Sequence, residues 1–124
     1  MRKKRGFIIV FIAGVFFLTQ NAESAWTTKR LTWNSGYSEY PAIAVGSDNH
    51  IHVVWEDLTP GNLEIFYKKS TDSGANWTTQ RLTWNSGYSW TPAIAVGSDN
   101  HIHVVWQDDT PENDEIFYKK VHIH

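Results

Sequence analysis

The chain has 124 residues, with 11 Lys+Arg against 13 Asp+Glu, no cysteine, and 7 Trp, 5 Tyr and 6 Phe. That length holds at most one ordinary domain, and the absence of cysteine excludes a disulfide framework. The net charge is −2, and −5 over residues 25–124, where no basic patch is left, so neither nucleic acid nor anionic lipid is expected as a partner.

Residues 1–24 read apart from the rest. Arg2, Lys3, Lys4 and Arg5 precede an apolar run of 12, Phe7 to Leu18, and a polar stretch with small residues at Ala22 and Ser24 follows. This is the three-part pattern of a secretory signal peptide, with cleavage expected before Ala25. As a helix the run rises about 18 Å, against a hydrocarbon core of about 30 Å, which argues against the alternative of a retained anchor. The sequence therefore predicts a secreted, periplasmic or extracellular product, residues 25–124, with no membrane contact after cleavage. That part has 7 Lys+Arg and 12 Asp+Glu, a net of −5.

A shift of 51 residues lays Trp26–Lys69 onto Trp77–Lys120, and 7 of the 44 aligned positions differ. The differences are Lys29/Gln80, Glu39/Trp90, Tyr40/Thr91, Glu56/Gln107, Leu58/Asp109, Gly61/Glu112 and Leu63/Asp114. Repeat 1 (26–69) and repeat 2 (77–120) flank a segment that occurs once, Ser70–Trp77. Within each repeat, short runs rich in β-branched and aromatic residues alternate with turn clusters, and no 3.6-residue period persists. The pattern predicts strands at 27–32, 41–46, 50–57 and 64–69, then at 78–83, 92–97, 101–108 and 115–120. Four short strands in a period of 51 residues fit a β-propeller blade, so the expected class is all-β with two four-stranded antiparallel blades.

The single segment "STDSGANW" has Ser70, Asp72, Gly74 and Trp77 in the spacing S-x-D-x-G-x-x-W. It resembles the Asp-box of sialidase-like β-propellers, also called the BNR repeat. The resemblance implies a structural turn between the third and outermost strands of a blade. It implies that Asp72 accepts backbone N–H groups, Gly74 takes a positive φ and Trp77 buries its ring. The family's enzymes use an arginine triad, a tyrosine–glutamate pair and an acid/base aspartate. Only Arg30 and Arg81 remain after residue 25, both at one outer-strand position, and no carboxylate pair stands out. No catalytic residue is assigned, and catalysis by the chain alone is not expected.

The loops opposite that turn carry Trp33, Asn34, Tyr37, Trp84, Asn85, Tyr88 and Trp90, beside Asp57 and Asp108. Aromatic faces with amide and carboxylate neighbours suit sugars, so these nine residues form the candidate ligand site and carbohydrate the candidate ligand. The alternative is that the rings fill gaps between blades. The pairs His50/His52, His101/His103 and His122/His124 lack a third ligand for zinc, and no metal or other cofactor is expected.

Two blades do not close a ring, since propellers carry typically 4–8. Three routes follow: self-assembly, with a trimer giving six blades favoured; packing on another propeller segment; or a remnant of a longer gene. The expected function is a non-catalytic binding or interaction module. Part of a sialidase-type glycoside hydrolase, as oligomer or fragment, is the alternative from another class.

Overall fold

The computed structural model describes residues 7–12, 15–20 and 26–122. The basic stretch at 2–5, the cleavage point before Ala25 and His124 lie outside them. The described chain falls into two units, 1–31 and 32–124, each treated by itself.

In the first unit, β1 (Phe7–Ile12) and β2 (Val15–Gln20) pair antiparallel, from Phe7↔Gln20 to Ile12↔Val15. Both are runs of β-branched and aromatic residues, which favour extended backbone. Among the described residues no helix is long and apolar enough to cross a membrane.

The second unit holds two antiparallel sheets. Blade 1 is β3 (Ser38–Val45), β4 (Ile51–Asp57), β5 (Glu64–Ser70) and β6 (Thr78–Arg81), in that spatial order. Blade 2 is β7 (Ser89–Val96), β8 (Ile102–Asp108) and β9 (Glu115–Val121). The all-β class with two antiparallel sheets holds, with four strands in one and three in the other, whereas the strand predicted at 27–32 is not a strand. Its counterpart β6 is extended because it adds to β5, from Phe66↔Arg81 to Lys69↔Thr78. Residues 27–32 follow no such third strand in the described chain. Among the described residues no strand lies on the outer side of β9, which is an open edge of blade 2.

Local chemistry sets the registers. β3 and β7 begin three residues earlier than the apolar pattern suggests, then shift register between Glu39 and Ala42 and between Trp90 and Ala93. Pro41 and Pro92 sit in these shifts and bring no N–H to the ladder. Tyr40 and Thr91 just before them take positive φ, 52° and 47°. The β3–β4 hairpin closes with the Gly46 N–H to the His50 carbonyl at 3.0 Å, and Asp48 Oδ1 accepts the His50 N–H at 2.9 Å. The β7–β8 hairpin repeats this with Gly97, His101 and Asp99.

The core lies between the blades. Side chains alternate along each strand, so β4 and β5 put Val54, Ile65 and Tyr67 on the face toward blade 2. There they meet Ile102, Val104, Trp106 and Val121, with Ala42, Ile94 and Val96 at the margin. The other face of blade 2 is open. Val54 is 0 % exposed and its copy Val105 40 %; Ile65 is 0 % and Ile116 73 %; Tyr67 is 2 % and Tyr118 58 %. At the opposite end Ile43 and Val45 are exposed, while their copies Ile94 and Val96 pack on the core.

Candidate functional site

The linkers before β3 and β7 supply the aromatic and amide residues singled out in the sequence, and both sit against the loops that follow β4 and β8. Leu58 donates its N–H to the Tyr37 carbonyl at 2.9 Å, and Asp109 donates to Tyr88 at 3.2 Å. The approach is close enough to require glycine: a Cβ on Gly36 would lie 2.5 Å from the Thr59 nitrogen, and one on Gly87 2.6 Å from that of Thr110.

Asp57 and Asp108 are fully buried at these junctions. Asp57 accepts from the Asn34 amide, from Ser38 Oγ at 2.9 Å, from the Trp55 indole N–H at 2.9 Å and from the Thr59 N–H at 2.8 Å. Asp108 repeats the set with the Asn85 amide, Ser89 at 2.7 Å, Trp106 at 3.0 Å and Thr110 at 2.9 Å. Burial alone raises each carboxyl, but the bonds from Thr59, Trp55 and Ser38 outweigh it at Asp57. Those from Thr110, Ser89 and Trp106 do so at Asp108, and both acids sit below the usual carboxylate range. These acids and their asparagines thus pin strand to linker, with their acceptor capacity directed inward.

The aromatic residues behave differently. Trp33, Tyr37, Trp84 and Tyr88 are exposed, and Trp90 is half-buried with its ring 6.1 Å from that of Tyr88. Lys68 lies 5.4 Å from the Trp33 ring centre; Arg81 and Lys119 lie 5.3 and 5.8 Å from that of Trp84. Eight of the nine candidates therefore form two copies of one arrangement, one per blade, and Trp90 stands alone, with Glu39 at its place in the first repeat. Arg81 is also engaged by the Thr83 carbonyl at 2.7 Å and by Glu64 at 3.7 Å.

Glu64 is a third buried acid that sequence reading did not single out. It accepts from Thr83 Oγ1, the Asn85 N–H at 3.1 Å and the Asn62 amide at 3.2 Å, so it fastens the linker to blade 1. Its copy Glu115 is exposed on the open edge. The repeat itself was the available signal, since Glu64 and Glu115 are identical while Leu63 and Asp114 beside them are not.

The Ser70–Trp77 turn joins β5 to β6. Ser70 Oγ accepts the Gly74 N–H at 2.8 Å, Asp72 Oδ1 accepts the Asn76 N–H at 2.8 Å, and the Trp77 indole donates to the Gly74 carbonyl at 3.0 Å. Gly74 has φ 89°. The Asn76 N–H, then the Asn76 and Ser70 side chains, hold the Asp72 carboxyl down to about 2. Trp77 is half-buried.

The histidines fall at the end of the blades that carries this turn. His50 Nδ1 pairs with Asp48 at 3.0 Å, and His101 Nδ1 with Asp99 at 2.8 Å. His52 and His103 bond the hydroxyls of Tyr67 and Tyr118 at 2.6 and 2.8 Å. Among the described residues no group of three His, Cys, Asp or Glu is placed to hold a metal ion.

No family model and no curated protein matches the chain. Among solved structures, an endo-arabinase from Bacteroides thetaiotaomicron VPI-5482 matches with a TM-score of 0.52 and 12% identity, over 95% of this chain and 37% of that one. The chain thus spans about 37% of the matched protein's length. The likeness is one of fold: the chain is all-β, and its four- and three-stranded antiparallel sheets match part of a propeller-fold enzyme.

Proposed function

We propose that the chain is an exported, non-catalytic propeller-repeat module of the sialidase-like type, which assembles with copies of itself and presents an aromatic rim for binding. The observation that carries this reading is the pair of surroundings of one residue set. Val54, Ile65 and Tyr67 are buried by blade 2, while Val105, Ile116 and Tyr118 lie exposed on the far side of blade 2. Of the surface that covers the first set, Ile94 and Val96 recur in the first repeat as the exposed Ile43 and Val45, while Val53 and Trp55, the copies of Val104 and Trp106, are already buried within the chain.

A second copy is therefore the occupant that the open face of blade 2 fits, head to tail, with the contact inside the chain as its template. Charge agrees with this. Glu64 takes Arg81 at 3.7 Å, and Glu115 and Arg30 are the copies of that pair. Lys29 stands where Gln80 does, while Asp109, Glu112 and Asp114 make the loop beside Glu115 acidic. Residues 27–32 of one chain would then extend along β9 of the next, as β6 does along β5. Three chains give six blades.

The test is the solution mass of residues 25–124 by sedimentation. A closed trimer is expected, reduced to monomer by Ile116→Asp. A monomeric parent chain at micromolar concentration contradicts self-assembly.

Carbohydrate is the ligand that the exposed Trp33, Tyr37, Trp84 and Tyr88 support, because flat rings stack on the C–H faces of sugars. A glycan array reads this. A bound glycan lost in Trp84→Ala supports it, and an array with no binder contradicts it.

A further inference from the structure

The seam between the blades is fastened differently at its two ends. At the linker end the chain itself crosses from β6 to β7. There the Leu63 carbonyl accepts the Ser89 N–H at 2.8 Å, Glu56 accepts the Thr91 N–H at 2.9 Å, and the Asn62 amide donates to the Asn85 carbonyl at 2.9 Å. At the hairpin end, among the described residues, the bonds across the seam start from Ser47 and Asp48 alone. Ser47 Oγ donates to Asn100 Oδ1 at 2.8 Å and to the Ser98 carbonyl at 3.5 Å, and the Asp48 N–H reaches Asn100 Oδ1 at 3.4 Å. All three are exposed to water.

Behind this weaker end lies His52, 1 % exposed. Its Nδ1 is 2.6 Å from the Tyr67 hydroxyl, and its Nε2 is buried with no hydrogen-bond partner among the described residues. Either neutral tautomer satisfies Nδ1: the ring donates to the hydroxyl oxygen or accepts its proton. The imidazolium has one form only, with hydrogen on both nitrogens, so a charged N–H then stands at Nε2 with no acceptor. A buried donor left unsatisfied costs about 1–3 kcal/mol, and more when charged. Burial, then the ammonium of Lys69, lowers the affinity of the ring for a proton; Asp48 raises it and His50 lowers it again.

The groups around His52 add to this. A cavity of about 330 Å³ lies at the same end of the seam, lined from blade 1 by Asp48, His50 and Lys69 and from blade 2 by His101, Lys120 and His122. Asp48 pairs with His50 at 3.0 Å, and Asp99 with His101 at 2.8 Å. With the imidazoles uncharged, two ammonium groups balance two carboxylates. With them protonated, each aspartate is matched by its own histidine, and His52 and Lys69 face Lys120 and His122 with nothing left to compensate them. Like charges brought together across a seam repel.

We propose that the hairpin end of the inter-blade seam is an acid-released joint, in which protonation of His52, beside like charge on Lys69, Lys120 and His122, parts blade 2 from blade 1. The joint lies within one chain, so it does not depend on self-assembly. The sign follows from linkage: a histidine whose proton affinity is lowered in the closed form holds the seam fully above its ordinary value of about 6.5 and progressively less as pH falls below it. Between pH 7.5 and 5.5 His52 alone should raise the opened population about tenfold.

The experiment measures that population by NMR relaxation dispersion at the methyl groups of Ile102 and Val121, and follows the His52 ring nitrogens over the same range. A rise of about tenfold is expected, with the amides of Ser89 and Thr91 at the linker end undisturbed. His52→Phe, which keeps a ring against Tyr67, should lose most of the rise, and the double variant His101→Gln, His122→Gln should lower it. If His52→Phe does not fold, the parent chain decides alone. An opened population that stays constant from pH 7.5 to 5.5 overturns the proposal. So does a His52 ring that takes a proton while Ile102 and Val121 stay packed, or a rise undiminished in folded His52→Phe.

Discussion

Blade 1 and blade 2 place the same side chains in opposite surroundings: Tyr67 is buried beneath the second blade, and Tyr118, in the same six-residue strand sequence EIFYKK, is exposed. The hydrogen bond from tyrosine to histidine survives the change, 2.6 Å at His52 and 2.8 Å at His103, and so do the stacked rings of Trp55 with Phe66 and Trp106 with Phe117. The blade is thus a local design that the sequence specifies twice, whereas burial is decided by what stands next to it. Apolar surface removed from water stabilises by about 25 cal/mol per Å², so one residue type contributes to stability in blade 1 and awaits a neighbour in blade 2.

The largest effect that sharpens this contrast is expected from truncating the paired isoleucines. Ile65→Ala should cost about 2–5 kcal/mol in urea unfolding. Ile116→Ala should change the stability of the isolated chain by no more than about 0.5 kcal/mol, while weakening self-association. Equal losses at both positions would break the comparison.

The acidic pins give the next effect. Glu64→Ala strips the linker of its acceptor and should cost about 1–3 kcal/mol, against almost nothing for Glu115→Ala in the monomer. Thermal unfolding of both variants at low concentration separates them.

Asp57 and Asp108 make a smaller, pH-dependent contribution. Their carboxyls titrate lower in the fold than in the unfolded chain, where about 3.9 is normal. Their stabilisation is complete above that value and is lost as pH falls through the folded value. Stability should therefore drop below about pH 4, and Asp57→Asn should flatten the slope measured by urea titration across that range.

The smallest effect tests a position where the repeats differ. Glu56 is buried, its carboxyl raised by burial, lowered in part by the Thr91 N–H at 2.9 Å and raised again by Glu39. A carboxyl raised in the fold begins to cost stability as pH rises through its unfolded value and costs most above its folded one. Glu56→Gln, which makes blade 1 match Gln107, should gain up to about 1 kcal/mol at pH 7, with the gain fading in acid.

The strands of both blades were legible because β-branched runs, hairpin turns and an internal repeat agree on the same boundaries. The start of β3 and β7 was not, because Tyr40 and Thr91 reach positive φ ahead of a proline, a bulge that alternation does not reveal. The strand expected at 27–32 was misread because its pattern copies β6, while a strand needs a neighbour to add to. In the candidate site, aromatic exposure at Trp33 and Trp84 fits the residue types. Asp57 and Asp108, expected beside a ligand, turned out to be filled by linker donors, since composition does not tell an acceptor that faces solvent from one that faces its own backbone. The bond between His52 and Tyr67 was hidden for a similar reason: it joins neighbouring strands and depends on register.

Sedimentation equilibrium of residues 25–124 tests the central claim most directly. The account predicts a mass three times that of one chain at micromolar concentration, falling to that of a single chain in Ile116→Asp. A parent chain that stays monomeric and cooperatively folded, with Tyr118 as exposed in solution as it is here, would contradict it.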